Sequence, residues 1–103
     1  MITERLSFRA KYGEGDGLVQ LMKDSMSIMP MGAVQSARLY TDLTGPMFSV
    51  ILEIDHADMD AYAASTKGDS EDYARSEFQE WFAKMAAITE GGDRQLLHSE
   101  WLK

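Results

Sequence analysis

Residues 38–53 read Arg38-Leu39-Tyr40-Thr41-Asp42-Leu43-Thr44-Gly45-Pro46-Met47-Phe48-Ser49-Val50-Ile51-Leu52-Glu53. Two β-prone runs flank Leu43-Thr44-Gly45-Pro46, a short stretch of turn formers, so the segment predicts a hairpin. Its first strand should cover residues 33–42 and its second residues 46–55, with Phe48-Ser49-Val50-Ile51-Leu52 at the centre.

Upstream of the hairpin, residues 2–12 alternate. Ile2, Leu6, Phe8, Ala10 and Tyr12 fall on one face, and Thr3, Arg5, Ser7, Arg9 and Lys11 on the other, which is the pattern of a half-buried strand. Gly13-Glu14-Gly15-Asp16-Gly17 breaks that strand. Leu18, Leu21, Met22, Ser25, Met26 and Met29 then recur at three- and four-residue spacing and predict a helix, with Asp16 as its cap and Pro30 and Gly32 as its end. Downstream, the pattern predicts a short helical piece over 58–64, a break near Lys67-Gly68-Asp69 and a long helix from Ser70. Ala74, Phe78, Trp81, Phe82, Met85 and Ile88 form its apolar stripe, and Gly91-Gly92 stops it. Residues 94–101 are the last strand. The order β-α-β-β-α-β, closed by right-handed crossovers, gives an α+β ferredoxin-like fold: a four-stranded antiparallel sheet in the order 4-1-3-2 with its helices on one face. One domain is expected to cover residues 1–103.

Composition narrows the function classes. Seventeen acids against ten bases give a net charge of -7, which repels nucleic acid and anionic lipid. Arg5, Arg9, Lys11 and Arg38 are four of the five bases that precede residue 40, whereas acids dominate from Glu53 to Glu80. No apolar run reaches the roughly 20 residues that cross a bilayer. Met1-Ile2-Thr3-Glu4-Arg5 is no start for a signal peptide, and there is no cysteine, so a cytoplasmic protein without disulfides or thiolate-bound metal is expected. A chain of 103 residues buries a limited share of its surface, which favours association with a second copy.

The chain resembles the NIPSNAP-like group of the dimeric α/β-barrel superfamily over nearly its whole length. The carriers are residues 38–46 and Val50-Ile51-Leu52-Glu53 of the hairpin, Asp58-Met59-Asp60-Ala61-Tyr62, and Phe78-Gln79-Glu80-Trp81-Phe82 running into Gly91-Gly92-Asp93-Arg94. The resemblance implies a homodimer whose two sheets face each other to close a barrel. Its superfamily includes cofactor-free monooxygenases, haem-degrading enzymes, isomerases and members without known activity. It transfers no catalytic residue to this chain.

With Leu6, Phe8, Ala10, Phe48, Val50, Leu52 and Ile54 under the helices, the opposite sheet face carries Arg5, Ser7, Arg9, Ser36, Arg38, Tyr40, Ser49, Ile51 and Glu53. That is too polar for a dry interface. A register placing Arg9 opposite Ser49 places Arg5 opposite Glu53. On one reading, Arg5, Arg9, Arg38, Tyr40 and Glu53 bind a small anionic ligand, with the edge residues Arg38 and Tyr40 mattering more for capture than for folding. On the other, these charges satisfy one another as ion pairs.

His56 and His98 are the two histidines and thus the natural general bases. His56 reads as a solvated loop residue before the next helix, and His98, inside the last strand, as the catalytic candidate. Asp55, His56, Asp58 and Asp60 match no calcium-loop spacing and read as an acidic helix start, so neither metal nor cofactor is expected. The function that follows is binding or transformation of a small organic molecule by a homodimer. A ligand-free structural or interaction module is the alternative, and a cofactor-free oxygenase or haem-handling enzyme is a third.

Overall fold

A computed structural model describes residues 1–28, 34–72 and 74–100, with the side chains of 68–72 left aside. The elements are β1 (Ile2–Ala10), α1 (Gly15–Ile28), β2 (Ser36–Thr41), β3 (Ser49–His56), α2 (Met59–Asp72), α3 (Ser76–Ile88) and β4 (Thr89–His98). The strands form one sheet in the order β2-β3-β1-β4, which is the expected ferredoxin-like order. All three strand pairings are antiparallel, and Arg5 faces Glu53 and Arg9 faces Ser49, the register considered from the sequence.

The hairpin turns at Gly45, whose φ of 91° is the left-handed conformation that glycine adopts without strain. Phe48 also has a positive φ, 63°, which is costly for a bulky residue. Its ring explains why the position is held. It packs so closely on Gly15 that a Cβ there would lie 2.9 Å from Phe48 Cδ1, and it meets Tyr12 edge-on at 5.1 Å. Tyr12 is therefore a surface residue past the end of β1, not a member of the core face.

Three helical boundaries differ from the sequence pattern. Asp16 sits in the first turn of α1, where its charge favours the helix dipole, and does not cap it. Helix α2 runs through Lys67-Gly68-Asp69 to Asp72, so a single glycine, worth about 1 kcal/mol against alanine, does not break it, and the second helix begins at Ser76 rather than Ser70. Finally, α3 ends at Ile88, and Gly91 and Gly92 lie inside β4. Gly92 pairs with Phe8, and a Cβ on it would approach the Phe8 ring to 2.9 Å. The glycine makes room for an aromatic ring across the strands instead of stopping a helix. The expected end of α1 at Pro30 and Gly32 falls outside the described residues.

Ala10, Leu18, Met22, Val50 and Leu52 form the buried centre, where α1 lies on β1 and β3. Helix α3 is different: none of its residues is fully buried. Its Phe78, Trp81 and Met85 are half-buried and Phe82 is 48% exposed, so its apolar stripe is not pressed onto the sheet. A gap remains between them.

Candidate functional site

The gap is a cavity of about 680 Å³ between the sheet and the helices. Strand alternation decides its floor. The even-numbered side of β1 presents Glu4, Leu6 and Phe8, that of β3 presents Leu52, Ile54 and His56, and β4 adds Arg94. Met22 and Met26 of α1 and Phe78, Trp81, Phe82 and Met85 of α3 make an apolar roof.

Three polar groups on the helical wall are satisfied within it. Trp81 Nε1 donates to the Leu21 carbonyl at 2.6 Å, Ser25 Oγ to the Met22 carbonyl at 2.6 Å, and Thr66 Oγ1 to the Tyr62 carbonyl at 3.1 Å. His56 does not follow that rule. It closes β3 opposite Ile2, is 1% exposed, and meets Tyr62 edge-on at 5.3 Å. Among the described residues neither of its ring nitrogens has a hydrogen-bond partner. Leaving a buried polar group unsatisfied costs about 1–3 kcal/mol, so such a group points to something that satisfies it. The nearest charge is Glu4, with Oε1 3.7 Å from Nε2, beyond hydrogen-bond reach. Glu4 is in turn held by Arg94, whose Nε lies 3.2 Å from Oε2. The cavity thus has an apolar roof and one polar end made of His56, Glu4 and Arg94.

His56 is accordingly a buried strand residue and not a solvated loop histidine. Val50, Leu52 and Ile54 set a two-residue phase on the helix-facing side, and His56 is the next position in it. The same phase makes Glu4 an acid on the apolar side of β1, which was the available signal for this end of the cavity. His98 pairs with Ile2 on the same side of the sheet, but its side chain is 68% exposed and rests 3.1 Å from Glu100, outside the cavity.

The open face of the sheet carries a separate charge network. Asp55, 2% exposed, accepts from Arg38 Nη1 at 2.6 Å, Thr3 Oγ1 at 2.7 Å and Ser36 Oγ at 2.5 Å. Glu53 accepts from Arg5 Nε at 2.8 Å and Arg38 Nη2 at 3.2 Å, and Arg38 Nε also donates to the Tyr40 hydroxyl at 3.2 Å. The Arg38 hydrogen bond, aided by Ser36 and Thr3, outweighs burial and holds the Asp55 carboxyl well below the usual carboxylate range. Burial pushes Glu53 up, but the hydrogen bonds from Arg5 and Arg38 outweigh it, so that carboxyl also ionises below its ordinary value. The Asp55 hydrogen bond correspondingly raises Arg38. Arg5, Arg38, Tyr40 and Glu53 are therefore brought together, with Asp55 as the partner that sequence reasoning left in the helix start. Arg9 stands apart, 3.7 Å from Glu90 in an exposed pair. Asp55 and His56 point to opposite sides of the sheet, and among the described residues no group of three or more metal-ligating side chains converges. No helix among those residues is long and apolar enough to cross a membrane.

The chain matches no family model and no curated protein. Solved structures do match it. An uncharacterised NIPSNAP-domain protein from Burkholderia xenovorans superposes with a TM-score of 0.80 at 17% identity, covering 97% of this chain and 95% of that one. A NIPSNAP-family protein from Agrobacterium tumefaciens gives 0.77 at 17% identity over 96% and 92%. A cofactor-independent oxygenase from Streptomyces nogalater gives 0.67 at 12% identity over 98% and 94%. At such identities the likeness is one of fold, and what the chain shares with the NIPSNAP-domain proteins is their ferredoxin-like α+β architecture.

Proposed function

We propose that this chain binds a small, largely apolar organic molecule in the cavity between sheet and helices, with the ligand's polar group at His56 and Glu4. The observation that carries this reading is the buried imidazole without a hydrogen-bond partner among the described residues, set into an apolar cavity whose volume falls within the roughly 300–1,000 Å³ of ligand sites. The cavity favours it over a ligand-free module, whose interior would be filled by side chains. On the open face, Arg5 and Arg38 are engaged by Glu53 and Asp55, which supports mutual pairing there rather than capture of an anion.

The neutral aromatic 4-nitroanisole is a suitable probe of the cavity. Equilibrium dialysis is expected to give saturable binding at one site per chain. Ser65→Trp, which places an indole at the half-buried cavity wall, should weaken it by about tenfold, equivalent to ~1.4 kcal/mol. Binding that Ser65→Trp leaves unchanged would place the probe elsewhere and remove the reading.

The same proposal includes a homodimer formed through the open sheet face. The helices occupy one side of a molecule 37 × 37 × 18 Å across, leaving a single sheet layer on the other. Sedimentation equilibrium at micromolar concentration is expected to return about twice 11.6 kDa, and a monomer at that concentration would exclude a barrel closed by two sheets.

A further inference from the structure

We infer that the polar end of the cavity is a proton-accepting site: His56 takes the proton of a weakly acidic hydroxyl, a phenol or an enol, and the ligand is held as its anion. This inference rests on the ligand-binding reading above and specifies the chemistry of its buried end.

The groups present decide which ligand head fits. Glu4 offers acceptor oxygens and no donor when ionised, while a neutral imidazole offers one donor and one acceptor. A ligand carboxylate entering here would meet the Glu4 carboxylate, and Arg94, the nearby cation, is already bound to Glu4 at 3.2 Å. An ether or hydrocarbon would leave the imidazole acceptor unpaired. A hydroxyl satisfies it. The apolar roof of Phe78, Trp81 and Phe82 suits a flat ring bearing that hydroxyl.

The arrangement also stabilises the product of proton transfer. The ligand O–H bond breaks, an N–H bond forms on the His56 ring, and the electron pair stays on the ligand oxygen. The new imidazolium lies beside the Glu4 carboxylate, 3.7 Å away, whose negative charge favours it, and Arg94 holds Glu4 through its other oxygen. No oxidant, reductant or co-reactant is needed. The groups that face His56 are Glu4 from β1, Arg94 from β4 acting through Glu4, and the Tyr62 ring from α2. Asp58, at the start of α2, is committed to the Ala61 amide at 2.8 Å. His98 lies on the exposed side of Ile2.

The test uses 4-nitrophenol, its methyl ether 4-nitroanisole, and 4-nitrobenzoate, at a pH where free 4-nitrophenol is mostly protonated. The phenol is expected to bind at least tenfold more tightly than the ether, the benzoate more weakly than either, and the phenolate absorption band to grow on binding. His56→Gln keeps a hydrogen-bonding side chain but accepts no proton; it should abolish the band and bring 4-nitrophenol and 4-nitroanisole to within twofold of each other in affinity. Glu4→Gln keeps the imidazole, so it provides a second reading if His56→Gln fails to fold, and it should lower the phenolate fraction at fixed pH. Equal binding of phenol and ether, tightest binding of the benzoate, a band that persists in His56→Gln, or an unchanged phenolate fraction in Glu4→Gln would each overturn the proton-accepting role while the cavity reading stands. Failure of all three probes to bind would overturn the cavity reading itself, and this inference with it.

Discussion

Arg38→Ala is expected to destabilise the protein by about 2–3 kcal/mol. Edge position alone argues for a small effect, since substitutions away from specific partners stay within about 0.5 kcal/mol. The partners decide otherwise. Arg38 bridges Asp55 and Glu53, and its loss leaves the 2%-exposed Asp55 carboxylate with two hydroxyl donors and no countercharge. Removing one member of a buried pair costs about 3–5 kcal/mol. The figure is reduced here because the Arg38 side chain is 42% exposed and screened by water. Denaturant titration measures it, and the paired variant Arg38→Met with Asp55→Leu should lose less than Arg38→Met alone. Additive losses in that cycle would show the two residues to be uncoupled.

The same network predicts an acid limb. Asp55 and Glu53 have folded-state values below their unfolded ones, near 3.9 and 4.3. The unfolded chain therefore binds protons first as the pH falls, and the stability these groups contribute is complete above about pH 5 and lost progressively below it. The melting temperature is expected to fall from pH 5 downward, and more gently in Asp55→Asn than in the parent. Parallel curves would assign the acid limb to other carboxyls.

Leu18→Ala should have an effect of at least the same size, about 3–4 kcal/mol. Leu18 is 0% exposed and sits in the cluster with Ala10, Met22, Val50 and Leu52 that seats α1 on β1 and β3. Truncating a buried leucine removes its transfer free energy and leaves a void that rigid strands on one side cannot collapse to fill. Against a total stability of about 5–15 kcal/mol this is a large fraction. A shift of the urea midpoint at constant slope measures it, and a loss below about 1 kcal/mol would mean that α1 is held by contacts other than this cluster.

Alternation and turn chemistry determined the sheet. Period-two patterning in residues 2–12 and 46–55, with Leu43-Thr44-Gly45-Pro46 between the hairpin strands, was enough for the hairpin and for which side chains share a face, because a slip of one residue would turn every apolar side chain to the wrong face, and the element order with right-handed crossovers gave the strand order. Helix ends were less legible: Gly92 is explained by the Phe8 ring across the sheet, which no local pattern contains. The candidate site divided in the same way. Arg5, Arg38, Tyr40 and Glu53 shared a face by counting along the strands, and the same count reaches Asp55, but that Asp55 completes their network was decided by the pairing that sets it opposite both Thr3 and Ser36. The cavity belongs to tertiary structure alone. Its volume depends on how far α3 stands from the sheet, and the isolation of the His56 ring depends on which groups on α2, β1 and β4 come within hydrogen-bond reach. Those distances are set by packing between elements far apart in sequence, and no periodicity along the chain encodes them.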